Sequence, residues 1–293
     1  MEGEAGSLVR ALAAGGAVRI VAVDCLGAAL HTAEIHGLGR HAARLAAETL
    51  AAAAVASAHV KGDERITIQL QGETPRVSVY AEVRGDGTLR ERLTPAALHM
   101  PQPEMTGILL AVRSDGTKEI YRGMTELGGE SLEMAFGRHL RQSVQVDAVI
   151  RIGVTLDDAG EMVAAGGILV ERLPTDRGRV SIEPESFAAL FGPVAEMDLD
   201  TLLADLARGE LLGEDLQILE RRSLLWKCTC SSERVGLMLR ALGRDELDVM
   251  IREDQGAEIT CHFCNTEYRF TDSDLAAIRD AVPESADTSE YDA

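Results

Sequence analysis

The sequence predicts an α+β fold in three parts. We expect an N-terminal domain with a mixed or antiparallel sheet and several helices over 1–178, a helical linker over 179–226, and a small cysteine-rich C-terminal domain over 227–293. Strand-like runs with turn residues fill the first part, strand signals vanish in the second, and four of the five cysteines lie in the third. A chain of 293 residues is long enough to bury one large core and one smaller one.

The first part is predicted to contain a long helix followed by a β-meander. Residues 37–60 are rich in alanine and leucine and contain no interior proline, which favours a helix. Three runs of β-branched or alternating residues follow at 66–71, 76–84 and 88–93. The segments GETP and GDGT between these runs carry turn chemistry, so the runs are predicted to form consecutive antiparallel strands.

Further hairpins and one more helix complete the predicted N-terminal domain. The runs 107–114 and 118–127 flank the turn sequence DGT, and another hairpin is expected over 146–170. Between them, ESLEMAFGRHLRQS has large apolar residues at helical spacing, namely Leu132, Phe136 and Leu140. Antiparallel hairpins interrupted by a few helices are typical of an α+β domain.

The second part is predicted to be helical and amphipathic. Pro184 and Pro193 punctuate it. The segment MDLDTLLADLARGELL predicts a helix with Asp198 as its N-cap and with leucines at i, i+3, i+4 and i+7. These leucines are Leu199, Leu202, Leu203 and Leu206. Such an apolar stripe must pack against something, and two interpretations are open: an ordinary helix packed on the first domain, or a regulatory linker that can detach.

The charge of the chain limits its partners. With 29 Lys and Arg against 48 Asp and Glu, the formal net charge is −19, which repels phosphate backbones and anionic membrane surfaces. No apolar run reaches the roughly 18 to 20 residues of a membrane-spanning helix, and the N-terminus is acidic rather than basic. We therefore expect a cytoplasmic protein that binds neither nucleic acid nor membranes.

The cysteines near the C-terminus predict a metal site. They form two close pairs, Cys228-x-Cys230 and Cys261-x-x-Cys264. Because structural disulfides do not persist in a reducing cytosol, these thiols are expected to bind a metal or to undergo redox chemistry. Four thiolates complete a tetrahedral shell, and sulfur ligands select Zn²⁺ over magnesium or calcium. We predict one zinc ion per chain on these four residues; His262 is the alternative ligand.

The predicted zinc site is structural, because four protein ligands leave no open position for a substrate. The patterns GxSxG, HExxH and the P-loop are absent from the sequence, so no enzyme activity is predicted. Structural zinc contributes about 10 to 16 kcal/mol to the folding of small modules. Few large apolar residues accompany the cysteines, so a C-terminal domain that lost its zinc is expected to unfold. Cys25 lies alone in an apolar run and is expected to be a buried, inert thiol.

Motifs along most of the chain resemble those of one known family. The C-terminal motifs are WKCTCS at 226–231, followed by Glu233-Arg234, and CHFCN at 261–265, followed by Tyr268 and Phe270. The N-terminal motifs are TIQLQG at 67–72, Tyr121-Arg122-Gly123 through Leu127, and AAGG at 164–167. Together they resemble the redox-regulated heat-shock chaperone family, also called the 33 kDa chaperonin.

The resemblance implies a redox mechanism. It implies that the reduced, zinc-bound form is inactive and that oxidation forms the disulfides Cys228–Cys230 and Cys261–Cys264, releases zinc, and unfolds the C-terminal domain and the linker. The exposed apolar surface would then hold unfolding client proteins without ATP, in a homodimer, under oxidative stress. Two disulfides that close such short loops constrain the unfolded chain least, so they would not replace the stabilisation that zinc supplied.

Two other functions remain open from the sequence. A thiol-disulfide oxidoreductase would need an exposed CxxC of low pKa on a thioredoxin-like βαβ unit, whereas Cys261 follows a predicted strand after a helix. A zinc-ribbon module that binds RNA or another protein is the second alternative, and the net charge of −19 opposes the RNA-binding form of it.

Overall fold

The computed structural model describes residues 4–74, 76–94, 105–174, 199, 201–202 and 216–282. The chain divides into two compact units, Met1–Lys227 and Cys228–Ala293. Most of the predicted linker lies outside the described residues. The expected domain boundaries at 178 and 226 therefore stay predictions.

The first unit contains three α-helices and ten strands whose full bounds lie among its described residues. In chain order these elements are β1 Glu4–Ala13, β2 Val18–Asp24, α1 Leu26–His36, α2 Arg40–Ala56, β3 Glu64–Thr74, β4 Ser78–Arg84, β5 Thr88–Leu93, β6 Thr106–Asp115, β7 Lys118–Gly128, α3 Leu132–His139, β8 Ala148–Leu156, β9 Met162–Arg172 and β10 Gln217–Trp226. A π-helical turn, Leu140–Val144, continues α3. The predicted meander and both predicted hairpins are confirmed.

All ten strands belong to one sheet, in the order β7, β6, β3, β4, β5, β10, β1, β2, β9, β8. Neighbouring strands are antiparallel except β5 and β10, which pair in parallel through Leu225 with Thr88 and Trp226 with Leu89. The sheet is therefore mixed but mainly antiparallel. The predicted α+β fold class is confirmed.

Helix α2 lies on one face of this sheet, and its small side chains allow a close approach. From Leu50 to Ala56 every residue of α2 is buried. A Cβ on Gly167 of β9 would lie only 3.1 Å from Cγ2 of Val55, and a Cβ on Gly166 would collide with the backbone oxygen of Val23 on β2. The two glycines of the AAGG motif therefore allow β9 to pack tightly against α2 and β2.

The opposite face of β9 is covered by the start of the predicted amphipathic helix. Leu199 and Leu202 are helical and buried, and they belong to a cluster with Ile20 and Val170. The first two leucines of the stripe thus pack against the sheet of the first unit. Leu203, Leu206 and the predicted N-cap lie outside the described residues.

Four elements of the first unit were not predicted from the sequence, namely β1, β2, α1 and β10. Helix α1 was not predicted; it begins after Cys25, which is fully buried as expected, and ends at Gly37 with a positive φ of 59°. Strand β10 occupies the end of the segment predicted to be helical, over 217–226. Its conformation is set by pairing with β1, where Arg10 lies opposite Glu220 and the two side chains form an ion pair of 2.8 Å.

The second unit contains three helices and one hairpin among its described residues. They are α4 Ser232–Arg240, α5 Arg244–Val249, β11 Gly256–Thr260, β12 Glu267–Thr271 and α6 Asp272–Asp280. Strands β11 and β12 pair antiparallel, and Thr271 and Asp274 form a capping box at the N-terminus of α6. The buried core is small and consists of Val235, Leu239, Leu247, Phe270 and Leu275.

Candidate metal centre

The first pair of cysteines lies in the segment that leads into α4. The hydroxyl of Ser231, the N-cap of this helix, accepts a hydrogen bond of 3.2 Å from the backbone N–H of Arg234. The guanidinium of Arg234 in turn donates to the carbonyl of Thr229, at 2.7 Å. Thr229 separates Cys228 from Cys230, so this contact fixes the short loop that carries both sulfurs.

The second pair lies in the turn between β11 and β12. The backbone N–H of Cys261 donates to the carbonyl of Thr266, and the N–H of Asn265 donates to the carbonyl of Cys261, both at 2.9 Å. Asn265 has a left-handed backbone with φ of 55°, a conformation that asparagine adopts more readily than most residues. The turn therefore holds Cys261 and Cys264 on the same side of the hairpin end.

The four sulfurs converge. All four Sγ atoms lie within 4.8 Å of one another. Sγ of Cys228 is 3.6 Å from that of Cys261, and Sγ of Cys230 is 3.3 Å from that of Cys264. In a tetrahedral zinc site with Zn–S bonds of about 2.3 Å, the sulfurs are about 3.8 Å apart. The four cysteines therefore fit one tetrahedral metal ion, whereas the exposed His262 does not belong to the cluster among the described residues.

Two hydroxyl groups contact the sulfurs. The phenol of Tyr268 on β12 donates a hydrogen bond of 3.0 Å to Sγ of Cys230. The hydroxyl of Thr266 lies 3.2 Å from Sγ of Cys264. The thiol of Cys264 donates in this second contact, and the Thr266 hydroxyl can donate in turn when Cys264 is a thiolate. Hydroxyl donors orient metal ligands and offset part of their negative charge. The sequence motifs included Tyr268 without assigning it this role, and they did not single out Thr266. The sequence signal for Thr266 is a hydroxyl residue two positions after the last cysteine of the turn.

The thiols differ in acidity. Burial raises the pKa of Cys228 and of Cys230. Burial acts in the same direction on Cys264, but hydrogen bonds with Thr266, Cys230 and Cys261 together outweigh it and lower the pKa of Cys264 to about 7. The hydrogen bond to Cys230 raises the pKa of Tyr268, which keeps its phenol protonated as a donor. A bound cation would favour the thiolate form of all four cysteines.

A family model and several known proteins match this chain over nearly its whole length. The family model described as Hsp33 protein matches residues 6–271. The 33 kDa chaperonin of Bacillus subtilis is 28% identical over 284 residues, which cover 93% of this chain and 98% of the relative. The 33 kDa chaperonin of Staphylococcus aureus is 26% identical over 287 residues, which cover 94% and 98%.

A solved structure shares the fold. The crystal structure of the 33 kDa chaperonin, or heat shock protein 33 homolog, from Thermotoga maritima superposes with a TM-score of 0.75 at 22% identity, covering 94% of this chain and 98% of the other. No helix among the described residues combines the length and the apolar character needed to cross a membrane.

Proposed function

Since the chain belongs to the Hsp33 family of chaperones, we propose that it is an ATP-independent holdase that is inactive with its cysteines reduced and active after their oxidation. The observation that carries the proposal is the convergence of four sulfurs within 4.8 Å in the small second unit. No catalytic turnover is part of this function, in accordance with the names of the relatives. We place the protein in the cytoplasm, where a reducing environment keeps the thiols free.

In the reduced state, Cys228, Cys230, Cys261 and Cys264 would hold one Zn²⁺ per chain. Zinc is the ion that a complete shell of four thiolates favours. The ion, when bound, would neutralise part of the thiolate charge and join the segment before α4 to the hairpin of β11 and β12. Such a link supplements a small core, which in the described part of the unit has five buried side chains with partly buried apolar residues around them.

Oxidation would remove all four ligands. Each disulfide forms with the loss of two protons and two electrons from a pair of thiols, and one molecule of hydrogen peroxide accepts them to give two molecules of water. We propose the pairs Cys228–Cys230 and Cys261–Cys264, as in the family resemblance. Near neighbours stay close in an unfolding chain, whereas a disulfide from Cys228 to Cys261 or from Cys230 to Cys264 would close a long loop and stabilise the fold.

The loss of the second unit would expose apolar surface. Residues of the linker, including Leu199 and Leu202, cover one face of the sheet in the first unit. Their release would uncover a face lined by Ile20, Ile168 and Val170, which can bind the apolar segments of unfolding clients. A homodimer of the oxidised chain would present two such surfaces to one client.

One experiment tests the whole proposal. The reduced, zinc-loaded protein should not suppress the aggregation of a heat-unfolding client, measured by light scattering, whereas peroxide with mild heating should release about one zinc per chain and produce that activity. Peptide mapping by mass spectrometry identifies the disulfide pairs. A variant with Cys25→Ala serves as the control and should behave like the wild type.

Other outcomes would contradict the proposal. Catalytic disulfide exchange without any effect on client aggregation would favour an oxidoreductase. Retention of zinc under oxidant together with RNA binding would favour an interaction module. Disulfides from Cys228 to Cys261 and from Cys230 to Cys264 would contradict the proposed pairing while leaving the redox switch intact.

A further inference from the structure

The first unit contains a cavity of about 430 Å³ that plays no part in the proposed redox switch. It lies where the C-terminal end of α2 meets β1 and β2 on one side and β3, β6 and β7 on the other, with α3 as a further wall. Its volume falls within the range of about 300 to 1,000 Å³ that is usual for small-molecule sites.

One part of the cavity wall is apolar. It is formed by side chains of β3, α3 and the segment after α3, among them Ile66, Ile68, Phe136, Leu140, Val144 and Val146. Phe136 and Ile68 are almost fully buried, so they form part of the protein core as well as the wall. A ligand that fills this part of the cavity must be apolar.

The other part of the wall is cationic. Arg10, Arg19 and Arg113 line the cavity, and their side chains remain 20%, 24% and 34% exposed. Lys61 lines the same side. Such a concentration of cations is notable in a chain whose net charge is −19.

The carboxylates that hold these arginines do not line the cavity. Glu171, 2% exposed, pairs with Arg19 and accepts a hydrogen bond of 2.9 Å from His59 when that ring donates. Glu64 pairs with Arg113 at 2.8 Å, and Glu220 pairs with Arg10 at 2.8 Å. The ion pairs therefore fix the guanidinium groups in position and offset part of their charge, while the three arginines line the cavity and their partner carboxylates do not. Moreover, the Nε–H groups of all three arginines are buried and have no hydrogen-bond partner in the described part of the chain.

The remaining polar wall carries no negative charge. His139 is bonded to Thr125 at 3.0 Å and lies 3.3 Å from the phenol of Tyr121. Burial lowers the pKa of His139 to about 4, so this imidazole is neutral at pH 7. Neutral His139 therefore adds no charge to that of the lysine and arginine side chains in the lining.

From the apolar and the cationic side chains that line one cavity, we propose that it binds a small organic anion with an apolar body, such as a carboxylate on an unbranched alkyl chain. The charged head contacts the guanidinium groups, which bind carboxylates in a fork geometry. The chain packs against Phe136 and the isoleucines of β3. The proposal is independent of the redox switch, because every residue that carries it lies in the first unit.

Isothermal titration calorimetry of the reduced, zinc-loaded protein with decanoate tests this. We expect one site per chain with a dissociation constant of about 1 mM or lower. Decyltrimethylammonium, which has the chain but the opposite charge, and acetate, which lacks the chain, should both bind at least about ten times more weakly.

Two variants locate the site. Arg113→Gln removes one cation, and Val144→Glu adds a negative charge at a residue that is 38% exposed and tolerant of a polar side chain. Each should weaken decanoate binding about tenfold or more. Arg122→Gln is the matched control, because Arg122 is exposed on β7, pairs with Glu119 and does not line the cavity.

The proposal is overturned if decanoate does not bind, if decyltrimethylammonium binds equally well, or if both variants bind decanoate as the wild type does. None of these results bears on zinc release or holdase activity, so the two proposals fail or stand separately.

Discussion

Two buried glutamates on neighbouring strands have opposite surroundings. Glu82 on β4 lies within 3.6 Å of the guanidinium groups of Arg65, Arg84 and Arg90. Glu91 on β5 is fully buried, and neither of its carboxylate oxygens has a hydrogen-bond partner in the described part of the chain. Burial therefore raises the pKa of Glu91 well above its ordinary value and favours the protonated side chain.

This difference predicts how stability depends on pH. At pH values between the ordinary pKa of a glutamate and the raised pKa of Glu91, the folded chain binds one more proton than the unfolded chain. The contribution of Glu91 to the free energy of unfolding therefore falls by about 1.4 kcal/mol for each unit by which the pH rises. Glu91→Gln should remove that slope and make the protein more stable at pH 8. Urea unfolding at pH 5 to 9, followed by the fluorescence of the single Trp226, measures it.

Glu82→Gln is the matched comparison for this experiment. Because the carboxylate of Glu82 offsets the positive charge of three guanidinium groups, its replacement should lower the free energy of unfolding by about 1 to 3 kcal/mol. If Glu91→Gln instead destabilises the protein at pH 8 as much as Glu82→Gln does, Glu91 is ionised and paired, contrary to the structure.

The phenol of Tyr268 leads to a second prediction at the scale of single residues. Its hydrogen bond of 3.0 Å to Cys230 orients a proposed zinc ligand, and loss of such a contact typically weakens metal affinity about 10- to 100-fold. Tyr268→Phe should therefore lower zinc affinity by about tenfold in competition with a chromogenic chelator. Tyr80→Phe, a change in the first unit, should leave it unchanged; equal affinities in all three proteins would rule out a role for the phenol.

The convergence of the four cysteines was predictable from the sequence, but their supporting contacts were not. Spacing and residue type alone identified the four cysteines, because thiols in two close pairs have few uses in a reducing compartment. The contacts of Thr266 and Tyr268 depend on the register of β11 and β12, where Thr260 lies opposite Glu267. A register of this kind is set by pairing between strands and cannot be read from one strand alone.

At the scale of elements, local sequence patterns predicted a strand correctly where the strand it pairs with lies close in the chain. The predicted hairpins over 107–127 and 146–170 are formed by consecutive strands, β6 with β7 and β8 with β9. Strand β10 was missed because its partner, β1, comes from the opposite end of the chain. The consecutive apolar residues Ile218 and Leu219 are both exposed, at 43% and 46%. Apolar and polar residues therefore do not alternate along this segment as they do in a half-buried strand.

The packing of the linker leads to a prediction about activity. Leu202 is 1% exposed and contacts the sheet face that contains Ile20 and Val170, so Leu202→Ala should weaken this contact by about 2 to 5 kcal/mol. The reduced, zinc-loaded variant should then suppress client aggregation in part, measured by light scattering. Leu219→Ala, at an exposed position of β10, should have no effect.

The zinc content of the Leu202→Ala variant determines what its holdase activity means. If Leu202→Ala keeps its zinc and gains holdase activity, release of the linker is sufficient to expose the client surface. If the variant remains fully folded by near-UV circular dichroism and inactive, the sheet face beneath Leu202 is not the surface that clients bind.

At the scale of the whole molecule, the two units differ in what stabilises them. The first has one ten-stranded sheet with α2 buried on one face and apolar residues packed on the other. The second has a two-stranded hairpin, three helices and, within 228–282, five buried apolar side chains. So small a core rarely compensates the conformational entropy lost on folding. The metal site is therefore expected to supply much of the stability of the second unit.

Removal of the metal should consequently affect only one part of the chain. When zinc is withdrawn from the reduced protein by a strong chelator, brief proteolysis should cut within 228–282 while 4–174 stays protected, and the fluorescence of the buried Trp226 should change little. Cys261→Ser should reproduce the cleavage without chelator, and Cys25→Ala should resist it as the wild type does. If the metal-free chain is cut no faster within 228–282, the small core is sufficient by itself. Loss of the metal on oxidation of the cysteines would then not unfold the second unit.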